Sequence, residues 1–189
     1  MAFNPTWRIS LTALANSSYD NTAQKRKARE VSSTAEFKRI FGNSIVEEII
    51  QRTQSGIDKN GKAFPAYSKS YKESLQFQVY GKTNSVDLTL TGEMLASLQA
   101  RYSGNDLLLD LQGQNNKDKA QGHISGQYGQ SSKIKKRDFL GLPENRLKTI
   151  YKESIKEVAA IPDAEFSSEV VVNENTGQIN TSILDLITG

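Results

Sequence analysis

The chain contains no cysteine among its 189 residues, which removes every fold that depends on disulfides, on thiolate zinc sites or on iron-sulfur clusters. Its stability therefore has to come from an apolar core. Hydrophobic residues make up 37% of the sequence and charged residues 24%. A domain of this length buries roughly 70% of the surface that its unfolded chain exposes. The sequence predicts one main domain with room for an appendage.

Residues that usually carry chemistry are scarce. His123 is the single histidine, and it lies in a glycine-rich stretch where no serine and carboxylate are fixed beside it, so a packing role is favoured over a catalytic one. Glu47 and Glu48 are adjacent on a predicted helix and point in different directions. No phosphate-binding glycine motif is present. We predict a protein that is not an enzyme and that holds no cofactor and no metal. A site built from distant Asp and Glu residues is kept as a third hypothesis.

The sequence also bears on location. No apolar run reaches the ~20 residues that a membrane span requires. Residues 1–10 contain no apolar segment followed by small residues, which argues against a signal peptide. We expect a protein that stays in the cytoplasm and has no membrane partner.

Charge is distributed unevenly along the chain. Residues 1–116 carry a net charge of +3, residues 117–152 carry +6, and residues 153–189 carry −6. Opposite charges of this kind steer association and fix its register. Within the positive parts, the basic residues cluster at 25–29, in a solvated helix or a mobile segment, and at 133–137. These segments are either solvated faces of one domain or contacts to neighbouring copies or to nucleic acid.

One long amphipathic helix is predicted in the first half of the chain. Apolar residues recur every three to five positions over residues 37–49. Thr34 or Ser33 is the expected N-cap, and the helix is expected to end near Gln54. Gly42 in its interior costs about 1 kcal/mol relative to alanine. That cost predicts either a kink or a close helix approach.

Further helices are shorter or lie later in the chain. Ser68 is the expected N-cap of a short helix over residues 69–77, and Thr91 is the expected N-cap of another. A second amphipathic helix is predicted from Pro143, whose fixed φ suits the first helical position, to Pro162.

Strands and loops fill the remainder. Alternation predicts a strand over residues 7–15 and a β-hairpin over residues 98–102 and 107–111. Residues 112–136 are predicted to be a long, irregular glycine-rich loop, because glycines disfavour helices of more than one or two turns. Residues 166–187 look like a hairpin or a hairpin with a short helix.

Several motifs occur in a particular order that resembles the virion morphogenesis and tail-completion proteins of tailed bacteriophages, over about residues 36–158. In chain order they are a long N-terminal helix, Gly61-x-x-Phe64-Pro65-x-x-Ser68-x-x-Tyr71, Leu90-Thr91-Gly92-x-Met94-Leu95-x-Ser97-Leu98, Ala120-x-x-His123-x-x-Gly126, and Arg137-x-Phe139-Leu140-Gly141-Leu142.

The resemblance implies an α+β domain over residues 1–160, in which amphipathic helices pack on a small, mostly antiparallel sheet. The acidic extension over residues 161–189 lies outside it. The resemblance further implies a non-enzymatic structural virion protein at the neck, where head and tail join. Such a protein is expected to form a ring of identical copies around the DNA channel and to contact adjacent neck, tail-tube and connector proteins. DNA is expected to pass without specific binding, and assembly is expected in the host cytoplasm.

Two groups of residues are singled out within this picture. The 112–136 loop, with Arg137 directly after it, is the expected subunit or partner interface, with His123, Lys133, Lys135, Lys136 and Arg137 as its candidate residues. A second group is expected to maintain the fold at sharp turns and at the return from the loop, and consists of Thr91, Gly92, Phe139, Leu140 and Gly141.

A different class of function is also open. The basic clusters at 25–29 and 133–137 would suit a small non-enzymatic nucleic-acid-binding protein that contacts phosphates. This hypothesis predicts duplex binding that weakens steeply with salt, whereas a ring protein around a DNA channel should not hold DNA tightly.

Overall fold

The computed structural model describes residues 5–89, 91–128 and 132–160, and it has the α+β architecture that was predicted. Its elements in chain order are β1 (Trp7–Ser10), α1 (Leu11–Ser18), α2 (Thr22–Ser32), α3 (Ala35–Gln54), α4 (Lys69–Lys72), α5 (Leu75–Val79), α6 (Glu93–Ala96), β2 (Leu98–Ser103), β3 (Asp106–Leu111), α7 (Gln114–Ser125), β4 (Gln127–Tyr128), β5 (Ser132–Lys133) and α8 (Glu144–Ala159). The expected C-terminal hairpin lies outside the described residues.

The main sheet has three antiparallel strands in the order β1-β3-β2. In the β2-β3 hairpin Leu98 pairs with Leu111 and Ser103 pairs with Asp106, so the predicted hairpin is confirmed. The alternating residues Leu107, Leu109 and Leu111 of β3 are fully buried. The alternation of apolar residues fixes which face of a strand meets the core.

Helix α3 is the centre of the core. Thr34 caps it as predicted, since its hydroxyl accepts a hydrogen bond from the backbone N–H of Phe37 at 3.2 Å. Phe37 and Phe41 stack at 5.2 Å between ring centroids, and the ring of Tyr151 from α8 meets both edge-on. The Tyr151 hydroxyl donates to the carbonyl of Ala28 at 3.2 Å, which ties α8 to α2.

The strand predicted over residues 7–15 is wrong in its second half. The strand ends at Ser10, whose hydroxyl accepts from the backbone N–H of Ala13 and caps α1. Leu11, Leu14 and Ala15 are buried at helical spacing on one face of that helix. Their burial against the core outweighs the short alternating pattern.

The irregular loop predicted over residues 112–136 is also wrong, because about half of it forms the twelve-residue helix α7. Gly113 and Gly126 have φ of 78° and 77° and bound the helix rather than interrupt it. Left-handed glycine is a common helix terminator. Gly122 is buried with Ala120 on the inner side of α7, so tertiary packing compensates for its low helix propensity.

The capping prediction for α6 is wrong by one residue. Gly92 occupies the N-cap position with φ of 75°, and no side chain, including that of Thr91, caps the helix. A left-handed residue at this point turns the chain sharply into α6, which glycine does without a steric cost. The hydroxyl of Ser68, in contrast, caps α4 as predicted by accepting from the backbone N–H of Tyr71.

Candidate interaction surface

Arg137 brings two of the sequence motifs together. Only 7% of its surface is exposed. Its Nε and Nη2 donate to the carbonyl of Pro65 at 3.3 and 3.2 Å, and its guanidinium lies over the ring of Tyr67, 5.3 Å from the centroid. Arg137 was expected on the interface surface, and its burial corrects this. The physical reason is that a carbonyl and an aromatic ring far away in sequence supply the partners that a buried guanidinium needs.

His123 lies next to this contact. Its backbone carbonyl accepts from the N–H of Arg137 at 2.7 Å, and its Nδ1 has no hydrogen-bond partner among the described residues. Burial, with a smaller contribution from the positive charge of Arg137, lowers the pKa of His123 to about 4. The imidazole is therefore neutral at physiological pH. His123 is half-buried, which leaves little of it for a partner.

The segment after Arg137 is fixed in the core. Phe139 is fully buried and Leu140 nearly so. Arg52 of α3 donates through Nη1 to the carbonyl of Gly141 at 2.5 Å and through Nη2 to the carbonyl of Phe139. Gly141 has φ of 140°, and a Cβ there would lie 3.4 Å from the Lys59 side chain. This segment is held by contacts within the chain.

Two of the other candidate interface residues are at the surface. Lys135 and Lys136 are exposed, and Lys133 belongs to the short strand β5. The other basic cluster lies on α2, where Arg26, Lys27 and Arg29 are exposed.

Residues 65–85, which we call the arm, leave the core after the buried Phe64 and return to it at the buried Val86. They contain α4 and α5 and are exposed or half-buried throughout. The rings of Tyr67, Tyr71 and Phe77 pack against one another with centroids 5.1 to 5.6 Å apart. The arm is thus stabilised by its own small aromatic cluster, with Arg137 beneath Tyr67.

An ion pair closes the arm at its C-terminal end. Lys82 donates through Nζ to both carboxylate oxygens of Asp87, at 2.8 and 3.0 Å, and to the hydroxyl of Thr89 at 3.1 Å. The Tyr67 hydroxyl donates to the same carboxylate at 3.5 Å. Burial, together with the charge of Asp87, raises the pKa of Tyr67 to about 12.

Helix α5 of the arm leaves large apolar side chains exposed. Leu75, Val79 and Tyr80 are 75%, 70% and 52% exposed and are the large hydrophobic residues that the described surface leaves open. Leu75 and Val79 lie four residues apart on α5 and therefore share one face. Phe77, between them in sequence, faces the aromatic cluster instead. Exposed apolar patches are candidate contact surfaces, which makes the α5 face the candidate interaction surface here.

Helices α3 and α8 enclose a polar groove of about 310 Å³. Glu47, Glu48, Glu153 and Glu157 line it together with Arg146. Arg146 donates to Glu48 at 2.7 Å, and this hydrogen bond lowers the pKa of the carboxyl group below its ordinary value. In the parts of the chain that the structure covers, no three His, Asp or Glu side chains converge in a way that would hold a metal ion.

The sequence did not identify the α5 face as a candidate interaction surface. The four-residue spacing of Leu75 and Val79 was the available signal, but spacing does not reveal which apolar face stays open. Within the described helices, none is long and apolar enough to cross a membrane. Comparison of the chain with protein-family models, with curated proteins and with solved structures finds no match.

Proposed function

We propose that the protein is a structural component of the virion of a tailed bacteriophage and acts in tail completion at the neck, where head and tail join. In this proposal identical copies form a ring around the DNA channel after synthesis in the host cytoplasm. Adjacent neck, tail-tube and connector proteins are its further partners, and DNA passes through without specific binding.

The exposed apolar face of α5 carries the proposal. Leu75 and Val79 would each release water from a large apolar area on association, at roughly 25 cal/mol per Å². The arm that presents them is attached to the core by Arg137, which belongs to a motif on which the resemblance rests. A fixed arm with an open apolar side suits a protein that functions by contact with other subunits.

Charge supports the same proposal. The chain has a segment of +6 followed by a segment of −6, so one copy offers opposite charges to the next. A contact between two different surfaces, repeated around an axis, generates a ring when the rotation closes. Complementary charges would set the register of that contact.

The native mass of the full chain in solution tests the proposal. Light scattering over a range of concentrations, with electron microscopy of the same samples, should show a ring that is a multiple of the 21.0 kDa chain. The double variant Leu75→Ser/Val79→Ser should shift the mass towards the single chain. The control Gln76→Ser/Gln78→Ser changes exposed residues of the same helix and should assemble like the wild type. A single-chain mass for the wild type at every concentration would contradict the proposal.

A second candidate function is nucleic-acid binding through exposed basic residues. The observation in its favour is the exposed group of Arg26, Lys27 and Arg29 on α2. The burial of Arg137 weakens the other cluster, since it takes one cation out of reach of a phosphate. This function predicts binding to duplex DNA, with an association constant whose logarithm falls linearly with the logarithm of the salt concentration. The variant Arg26→Ala/Lys27→Ala should make this salt dependence less steep, because fewer phosphates are contacted. A wild-type chain that does not bind duplex DNA would exclude the function.

A further inference from the structure

The α5 face has a defined chemical character. Its apolar residues Leu75, Val79 and Tyr80 lie in a six-residue stretch without a charge, in which the other exposed side chains are Gln76 and Gln78. Charges lie on either side of that stretch. Residues 65–85 contain three lysines and one glutamate; Lys82 is paired with Asp87, so residues 65–87 carry a net charge of +1, with Lys69 and Lys72 outside that ion pair. Its best ligand would therefore be both apolar and acidic.

The sequence supplies a segment of that composition. Residues 161–189 contain five acidic residues and no basic one. They also contain two apolar groups, at 170–172 and at 183–187, the second interrupted by Asp185. The acidic α3-α8 groove does not combine negative charge with apolar side chains in this way, because its lining is mainly polar.

The area that a stable contact has to bury also favours an extended ligand. A stable protein contact buries about 800 Å² on each partner, which is more than three side chains provide. The occupant therefore has to continue past α5 over the lysines and the aromatic cluster of the arm. A segment of 29 residues spans up to about 95 Å when extended, so its length permits contacts well beyond the end of α8.

We propose that residues 161–189 of one copy dock on the α5 face of the neighbouring copy, with apolar residues of the segment over Leu75 and Val79 and its carboxylates near Lys69 and Lys72 of the arm. The proposal rests on the assembly of identical copies proposed above and names the surfaces that make the contact. Two different surfaces on each copy give a head-to-tail contact, which is the kind that builds rings.

The absence of native cysteine makes disulfide trapping a direct test. One full-length chain carries Val79→Cys, and a second, distinguished by a mass tag, carries Leu184→Cys or Val171→Cys. The two are mixed and treated with diamide, which accepts the two electrons and two protons released as the disulfide forms. The control pairs the same segment variants with Lys27→Cys, an exposed position on α2.

We expect Val79→Cys to form the mixed disulfide on the order of tenfold faster than Lys27→Cys, since docking raises the effective concentration of the two thiols to the millimolar range. The proposal would be overturned if, for both segment positions, Val79→Cys forms the mixed disulfide no faster than Lys27→Cys does. A single chain that carries both Val79→Cys and Leu184→Cys shows whether the segment docks within its own chain or on another copy. If it closes on itself faster than two chains join, the segment docks within its own chain and the proposal is wrong.

Native mass measured on the same samples separates this inference from the proposed function. Rings without preferential trapping at Val79→Cys would overturn the docking contact and leave the ring in place. Preferential trapping between chains without rings would support the contact and contradict the ring. Neither rings nor trapping would overturn both.

Discussion

A β-carbon on Gly42 of α3 would lie 3.0 Å from the Cβ of Ala100 on β2, so helix and sheet meet at this point without room for a methyl group. The hydroxyl of Tyr102, on the same strand, donates to the carbonyl of Lys38 at 2.8 Å and closes the contact on one side. The close approach predicted for Gly42 is therefore real, but its partner is a strand rather than a helix.

Gly42→Ala should destabilise the protein by about 1–3 kcal/mol, because overpacking at a closed contact outweighs the gain of about 1 kcal/mol in helix propensity. Urea denaturation followed by circular dichroism measures the change. The double variant Gly42→Ala/Ala100→Gly restores the space and should lose less stability than the sum of the two single changes. A more stable Gly42→Ala chain would show that β2 moves away without cost.

The neutral state of His123 predicts a pH-dependent stability. The unfolded chain binds a proton at this residue below about pH 6.5, whereas the folded chain binds it only near pH 4. The unfolded state is therefore favoured as pH falls through this window, and up to about 3 kcal/mol of stability is lost. His123→Gln should have a flatter stability profile between pH 6.5 and 4. Parallel profiles for the two chains would contradict the depressed pKa.

Arg137→Ala should cost about 2–3 kcal/mol, because it removes hydrogen bonds from a charged donor to the Pro65 carbonyl and the cation over Tyr67. Arg137→Lys keeps the charge but loses the two-pronged contact, so it should fall between alanine and wild type. Lys136→Ala changes an exposed neighbour and should stay within about 0.5 kcal/mol of wild type. Chemical denaturation of the three variants checks the order, and equal effects of Arg137→Ala and Lys136→Ala would refute the buried contact.

Asp87→Asn should loosen the arm at its return to the core and cost about 1–3 kcal/mol, since the side chain of Lys82 is only 9% exposed and loses its ionic partner. Burial acts to raise the pKa of Asp87, but hydrogen bonds from Lys82 and Thr89 dominate and hold it below its ordinary value. The stabilisation of the folded chain by ionised Asp87 is thus present at neutral pH and is lost as the pH falls below about 3.8.

Limited trypsin digestion measures this loosening directly, because the arm contains Lys69, Lys72 and Lys82. Asp87→Asn should speed cleavage in the arm. Glu73→Gln is the matched control, since Glu73 and Lys69 form an exposed pair at 3.9 Å that contributes little. Unchanged cleavage of Asp87→Asn would mean that the aromatic cluster alone holds the arm.

The elements that the sequence predicts well are those whose signals are local. The alternation in residues 98–111 gives the hairpin, and Thr34 with the apolar spacing behind it gives α3 from its cap to its last turn. In each case the residues that define the element also form its buried face, so the pattern and the burial agree.

The sequence by itself determined the long central helix and the hairpin, because short-range periodicity encodes which face of an element is apolar. Only the tertiary structure decided that Gly122 is accommodated inside α7, that Arg137 turns inward to Pro65, and that the α5 face stays open. Each of these depends on what packs there from a distant part of the chain. A residue's burial is set by its neighbours in space, and periodicity along the chain does not specify them.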